Sequence, residues 1–339
     1  MTKLAVLDGA AALGKGQRER LGRLGVEVCG GDAPADCFMV MRASYLKSRM
    51  TKALHGERGL LHWTNEPRRS MISQSYAKVN GIPLRVLNVY AGGVYVDNYL
   101  YHPGAQVPEV DDQAIEWPPR QPEVVGLAAC GLNSIYGKLA IDGRNVDLAA
   151  TRYRMMAGLF DEGAAKICGK FWPRKFQAKR PKDKMATLKN FRFNICLENT
   201  NWPFYCTEKL WDAIRGGCLP IYWGEGNRIY DDFPKNSFLD AAKFKDALTL
   251  AAYIRRMDRN EYLDRLRACR AVYNEVGARL ENRDPWMEAM ERLVQGLKEV
   301  EVARKRLAGA PSIAMVSMQS MPNVRSLIKP SAPPRRVRL

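Results

Sequence analysis

Between Cys196 and Gly224 the chain reads CLENTNWPFYCTEKLWDAIRGGCLPIYWG. A carboxylate beside an amide, Glu198-Asn199, is followed within a dozen residues by Thr207-Glu208-Lys209. Thr207 has the type and position of a helix N-cap, with Glu208, Lys209, Leu210, Trp211 and Ile214 continuing the helix. A helix N-terminus offers unpaired N–H groups and a partial positive charge, and Lys209 adds a full one, which is a phosphate site in outline. Glu208 would repel a phosphate and suits sugar hydroxyls better. A nucleoside diphosphate carrying a sugar presents both kinds of group. By spacing alone, Glu208 and Lys209 equally fit ordinary first-turn helix residues.

The elements around this stretch would position it. FRFNICLEN has the apolar spacing of an interior strand that delivers Glu198-Asn199 to its carboxyl end, the edge where open α/β sheets bind ligands. Gly216-Gly217 ends the helix, and CLPIYWG supplies the next strand. Upstream, LAVLDG, VEVCG, CFMVMRA, GLLHWTNEP and LRVLNVY alternate with helical patterns, as in a parallel sheet flanked by helices. A Pro-rich, acidic stretch at 103–122 reads as a linker, and VVGLAACG, AAKICG, FRFNICLEN, CLPIYWG and NSFLD form a second such series. Residues 246–307 carry helical periodicity with mixed charge. After Glu301 there is no acidic residue while Arg, Lys and Pro accumulate, so the end reads as a flexible basic tail. The boundaries predicted are 1–117, 118–300 and a tail at 301–339.

The 339 residues suit two domains, and the net charge of +17 favours phosphate-bearing ligands, nucleic acid or an anionic membrane face. The segment 168–193 is the densest positive cluster, as suited to a solvated loop as to drawing in an anionic substrate. Eight cysteines stand singly, with no C-x-x-C pair, and read as reduced thiols of a cytosolic protein. No apolar run approaches the ~20 residues of a membrane span, and the N-terminus reads as a first strand rather than a signal peptide. GAAALGKG at 9–16 nearly matches a P-loop but has Gly16 where a Mg²⁺-binding hydroxyl belongs, so a plain strand-to-helix turn is expected. His55, His62 and His102 are too few and too separated for a metal centre or triad, and Asp111-Asp112 and Asp231-Asp232 read as solvated turns.

FNICLENTNWPFYCTEKLWDAIRGGCLPIYWG, continued by FPKNSFLD, closely resembles the donor-binding signature of the α-1,3-fucosyltransferases, which show E-N-[ST], Y-x-T-E-K-[LI], P-[IV]-Y-x-G and P-x-[SA]-F in this order. TRYRMMAGL followed by KICGKFWP resembles the family's Arg-containing helix and V-x-G-[KR] strand end, which puts Arg152 where the family has a phosphate-binding arginine. LLHWTNEPRRS resembles an N-terminal segment that usually contains Glu-Ser-Pro; here Glu66 directly precedes Pro67, one place later.

The resemblance implies two Rossmann-like domains facing across a cleft (GT-B-like), the first presenting an acceptor glycan and the second holding GDP-fucose. It implies inverting transfer of fucose, expected at O3 of a GlcNAc- or glucose-containing oligosaccharide or glycolipid, with no obligatory metal or other cofactor. Glu66 is the candidate base and Asp97, in VYVDNY, its rival. Arg152 and Lys209 would neutralise the diphosphate, Asn199 and Glu208 would hold ribose or fucose hydroxyls, and Tyr205 would pack or bond near the donor. A cytoplasmic enzyme is expected, peripheral on the inner face of the membrane through its basic tail. The alternative is a non-catalytic nucleic-acid or membrane-surface binding protein that keeps such a fold.

Overall fold

The computed structural model describes residues 1–31, 33–41, 60–68, 84–90, 95, 97–115, 117, 123–130, 140–141 and 144–308. The basic tail at 309–339 and His55 lie outside them. Two five-stranded parallel sheets form the framework. The first contains β1 (Thr2–Val6), β2 (Val26–Gly30), β3 (Cys37–Val40), β4 (Leu60–Thr64) and β5 (Leu84–Asn88), in the order β2-β1-β3-β4-β5. The second contains β6 (Val124–Leu127), β9 (Ala165–Cys168), β10 (Phe193–Ile195), β11 (Leu219–Tyr222) and β12 (Leu239–Asp240). Its order is β12-β11-β10-β6-β9, and β7 (Ala140–Ile141) and β8 (Arg144–Asn145) make a small antiparallel pair beside it.

Numbered within its own unit, the second sheet repeats the strand order of the first, 2-1-3-4-5. Both are doubly wound α/β units, as expected. In such sheets the chain reverses direction between the first and third strands, leaving a crevice at their carboxyl ends. That crevice lies between β1 and β3 in one unit and between β6 and β10 in the other. Several strands are near-continuous apolar runs, as in sheets covered on both faces; β4, for instance, is buried throughout.

Among the described residues the helices are α1 (Lys15–Arg23), α2 (Ala149–Asp161), α3 (Lys184–Leu188), α4 (Glu208–Arg215), α5 (Ala247–Arg256), α6 (Arg259–Arg279) and α7 (Pro285–Ala308). Helix α4 buries Leu210, Trp211, Ala213 and Ile214 on one stripe, and full burial of Leu210 or Ile214 is worth about 1.5–3 kcal/mol each. Its end follows from Gly217, whose φ of 84° is open to glycine at little cost. Residues 9–14 form only a short 3-10 turn before α1, the simple strand-to-helix connection expected of GAAALGKG.

The boundary expected at residue 300 departs from the packing. Helix α7 was assigned to the second unit, but its buried Ala289, Met290, Leu293 and Leu297 join Leu4, Met39, Leu61 and Trp63 in the core of the first. The chain therefore crosses back, and α7 closes a face of the first sheet that would otherwise be exposed. The linker is docked rather than loose. Asn274 of α6 bonds both N and O of Val107, and Arg270 donates to the carbonyls of Pro108 and Glu109. Asp232 is not a solvated turn residue: it accepts from Asn98 Nδ2 at 2.8 Å and from the Tyr99 hydroxyl, tying the first unit to the second.

Candidate active site at the carboxyl edge of the second sheet

Strand β10 ends at Ile195, and the chain carries on extended through Cys196 and Leu197 into Glu198, only 1% exposed. A buried carboxylate must be paired or hydrogen-bonded. Glu198 Oε1 accepts from the Thr207 N–H (2.8 Å) and hydroxyl (2.7 Å), and Oε2 accepts from Lys209 Nζ (3.0 Å). Thr207 stands at the N-cap of α4, but its hydroxyl is spent on Glu198 and makes no cap bond to the helix. The N-terminus of α4 is thus positioned by Glu198 and keeps its positive end open to an anion.

Lys209 is 23% exposed at its side chain, and its ammonium also donates to Thr207 Oγ1 at 2.7 Å. Burial pulls the ammonium down, but Glu198 and Glu208 outweigh it and hold Lys209 above its ordinary value, fully charged. Glu208 is 48% exposed and 3.6 Å from Lys209. Partial burial pushes its carboxyl up, while Lys209 and Lys184 draw it below the usual range, so it stands as an anionic acceptor at the rim.

Arg152 projects from the first turn of α2. The one hydrogen bond its side chain makes among the described residues is a long one, 3.4 Å from Nη1 to the Leu197 carbonyl, and no carboxylate there reaches ion-pair distance. Burial pulls the guanidinium below its ordinary value, Glu198 opposes that and Arg68 reinforces it; an arginine nevertheless stays protonated. A desolvated cation without a paired anion is costly unless a ligand supplies one.

The first unit reaches this edge through the turn after β4. Arg68, 4% exposed, crosses into the second unit, where Nε donates to Thr200 Oγ1 at 2.8 Å and Nη2 to Asp147 Oδ1 at 3.2 Å and to the Asn199 carbonyl. Two residues earlier, Glu66 is fixed through its backbone, its N–H to Thr64 Oγ1 (3.2 Å) and its carbonyl to Asn88 Nδ2 (2.9 Å). Burial, then the fields of Glu198, Glu66 and Glu208, push the Tyr205 phenol up, and burial with the same three carboxylates does so for Tyr101. Glu66 of the first unit and Glu198 and Glu208 of the second are thus near enough to act on both rings.

The structure brings Glu66, Arg152, Glu208 and Lys209 to one region. Asn199 is there too, but through its carbonyl, which accepts from Leu148 N and Arg68, and its side-chain oxygen, which accepts from the Thr200 hydroxyl at 2.9 Å. Tyr205 is buried at the junction of the units, edge-on to Tyr90 with ring centroids 5.2 Å apart, so here it fastens the two units rather than lining open space. Asp97 does not continue a strand. It accepts from the Tyr99 N–H and pairs with Arg283 at 2.6 Å, which gives it a structural task.

Sequence reading passed over Arg68 and gave Glu198 no role. The signal for Glu198 was a carboxylate directly after five residues of interior strand, a place where ionised groups are always partnered. No group of three or more His, Cys, Asp or Glu side chains converges among the described residues. No helix there is long and apolar enough to cross a membrane. All eight cysteines are free thiols.

Residues 143–269 match the family model described as glycosyltransferase family 10 (fucosyltransferase), C-terminal part. The alpha-(1,3)-fucosyltransferase FucT of Helicobacter pylori is 38% identical over 87 residues, covering 25% of this chain and 18% of that protein. The alpha-(1,4)-fucosyltransferase of Arabidopsis thaliana is 39% identical over 72 residues, 21% of this chain and 18% of its own length. The chain thus aligns with less than a fifth of the length of these relatives. A crystal structure of an alpha1,3-fucosyltransferase with GDP superposes with a TM-score of 0.46 at 14% identity, covering 89% of this chain and 90% of the other. Glu66 and Arg68 fall outside the matched stretch, whereas Arg152, Glu198, Glu208 and Lys209 fall inside it. Over residues 143–269 the chain carries the C-terminal signature of the family 10 fucosyltransferases.

Proposed function

We propose that this protein is a fucosyltransferase that moves L-fucose from GDP-fucose to a hydroxyl, O3 in our reading, of a GlcNAc- or glucose-containing oligosaccharide or glycolipid, with inversion at C1. The observation that carries the reading is Arg152: a desolvated guanidinium without a carboxylate partner among the described residues, beside Lys209 and the open N-terminus of α4. Such a place calls for an anion of more than one charge, and the diphosphate of GDP-fucose is one.

In the reaction Glu66 takes the acceptor hydroxyl proton as the oxygen attacks C1, and the C1–O bond to GDP breaks on the opposite face. Arg152, Lys209 and the helix N-terminus take up the charge that grows on the departing diphosphate. Glu208, anionic and at the rim, accepts from ribose or fucose hydroxyls, with Asn199 beside it. Arg68 draws the first unit onto the second, so that water is kept from the oxocarbenium-like centre. Because protein cations carry the charge compensation, no divalent metal is required. The basic tail would hold the enzyme at the cytoplasmic face of an anionic membrane, where glycolipid acceptors lie.

Incubation of purified protein with GDP-fucose and a panel of β-galactosyl and N-acetylglucosaminyl acceptors tests this, with products read by mass spectrometry and linkage by NMR. A fucosylated product formed in excess EDTA supports the reading. Absence of transfer and of GDP-fucose hydrolysis contradicts the activity, and loss in chelator restored by Mn²⁺ or Mg²⁺ contradicts the metal independence.

A further inference from the structure

Among the described residues the exposed large apolar side chains are Met1, Phe171 and Leu248, with Phe171 at 81%. Phe171 is also one of few non-glycine residues with positive φ, 66°. Such a conformation is unfavourable for a bulky residue and persists only where its surroundings enforce it, which happens most often at functional sites.

The enforcement is visible on both sides. Before Phe171, the Lys170 carbonyl accepts from Cys130 N at 2.9 Å. Gly169, with φ of 152°, lies so near the Ala128 carbonyl that a Cβ there would come within 2.0 Å of the oxygen. After it, Trp172 donates Nε1–H to the same Ala128 carbonyl at 2.7 Å and stacks on Tyr153, with centroids 5.3 Å apart. The phenyl ring is thus presented at the carboxyl end of β9 by a loop clamped to the end of β6. Strand β6 borders the crevice that holds Arg152, and Cys130 is close enough to act on the Arg152 charge. Two strand spacings, about 9.5 Å, separate the ends of β9 and β10, and the charged cluster sits at the end of β10.

We infer that Phe171 is the platform on which the planar base of a nucleoside diphosphate stacks, one nucleoside's length from the cations that hold its phosphates. The inference deepens the proposed function and rests on it. A base has no charge for Arg152 or Lys209 to recognise, and a flat aromatic face is the complement it lacks elsewhere in the cluster. The strained backbone is the cost of holding that face outward before the ligand arrives.

The test is calorimetric binding of GDP and of inorganic pyrophosphate to the full chain and to F171G and F171W, with a melting temperature for each. Glycine relieves the positive φ, so F171G is expected to melt at or above the wild-type temperature. Loss of the stacking face should nevertheless weaken GDP about 10-fold while leaving pyrophosphate unchanged, and F171W should keep GDP affinity. Equal GDP affinity in F171G and wild type, or equal weakening of GDP and pyrophosphate, overturns the inference and leaves the donor site standing. Failure of the wild-type chain to bind GDP overturns both.

Discussion

The two α/β units share one strand order and differ in what their carboxyl edges do with polar side chains. In the first unit several of these side chains hold backbone: Asp8 accepts from Met41 N, Thr64 from Glu66 N, and Asn88 both accepts from Tyr90 N and donates to the Glu66 carbonyl. In the second unit side chains hold one another: Glu198 gathers Thr207 and Lys209, and Lys209 returns to Thr207. The topology provides a crevice in each case, and among the described residues the charged network that sets the position of a helix end lies at the second. One consequence is that the backbone N–H and carbonyl of Glu66 are both held, by Thr64 and Asn88, and these two bonds survive a change at its side chain. In the network of the second unit, function and stability are coupled.

Glu66→Gln gives the largest expected effect. A general base acts mainly in the transition state, so kcat should fall by ~10²–10⁴ while GDP affinity stays close to wild type. Asp97→Asn serves as the control. Because Asp97 is bound to Arg283, its loss should lower stability and leave kcat nearly unaltered. If the two results are interchanged, the base is Asp97.

Lys209→Met should show the coupling. Removing one partner of a buried ion pair leaves Glu198 uncompensated, which typically costs about 3–5 kcal/mol. Denaturant unfolding should report that loss alongside weaker GDP binding. The double variant Lys209→Met with Glu198→Gln should recover much of the stability and none of the binding. Equal stability of Lys209→Met and wild type would show that the two edges are alike after all.

How much of this was legible follows from the range of the interactions. The strands of both sheets and helix α4 were readable because apolar runs, the Thr207 cap position and Gly216-Gly217 are local signals. The side on which α7 packs was not, since its apolar stripe fits either sheet and only the assembled core decides. Arg68 was missed because its partners Asp147, Asn199 and Thr200 lie 79 to 132 residues away, and nothing in NEPRRS distinguishes a crossing arginine from a solvated one. The alternation in VYVDNY suits a strand leading to Asp97, but a turn held by its own carboxylate, which accepts from the Tyr99 N–H, wins there.

A smaller effect lies at the junction of linker and second unit. His102 is buried between Trp211 and Tyr273, with ring centroids 4.7 and 4.3 Å away, and burial lowers its pKa to about 4 from an ordinary 6.5. The unfolded chain then binds the proton more readily than the folded one. The stability this histidine contributes is fully present above pH 6.5 and is lost as pH falls toward 4, by an amount of order 3 kcal/mol. Urea unfolding at pH 7 and pH 5 should show a steeper loss for wild type than for His102→Gln. Parallel behaviour of the two would place the titration elsewhere.

The central claim is that a desolvated arginine and a carboxylate-anchored lysine form a site for the donor's diphosphate. It is met most directly by isothermal calorimetry of GDP with wild type and Arg152→Ala at matched salt. Loss of one charged hydrogen-bonding partner is typically worth ~1.5–3 kcal/mol, so the dissociation constant should rise about 10- to 100-fold with the melting temperature of the free protein unchanged or raised. An unaltered GDP affinity in Arg152→Ala would contradict the account.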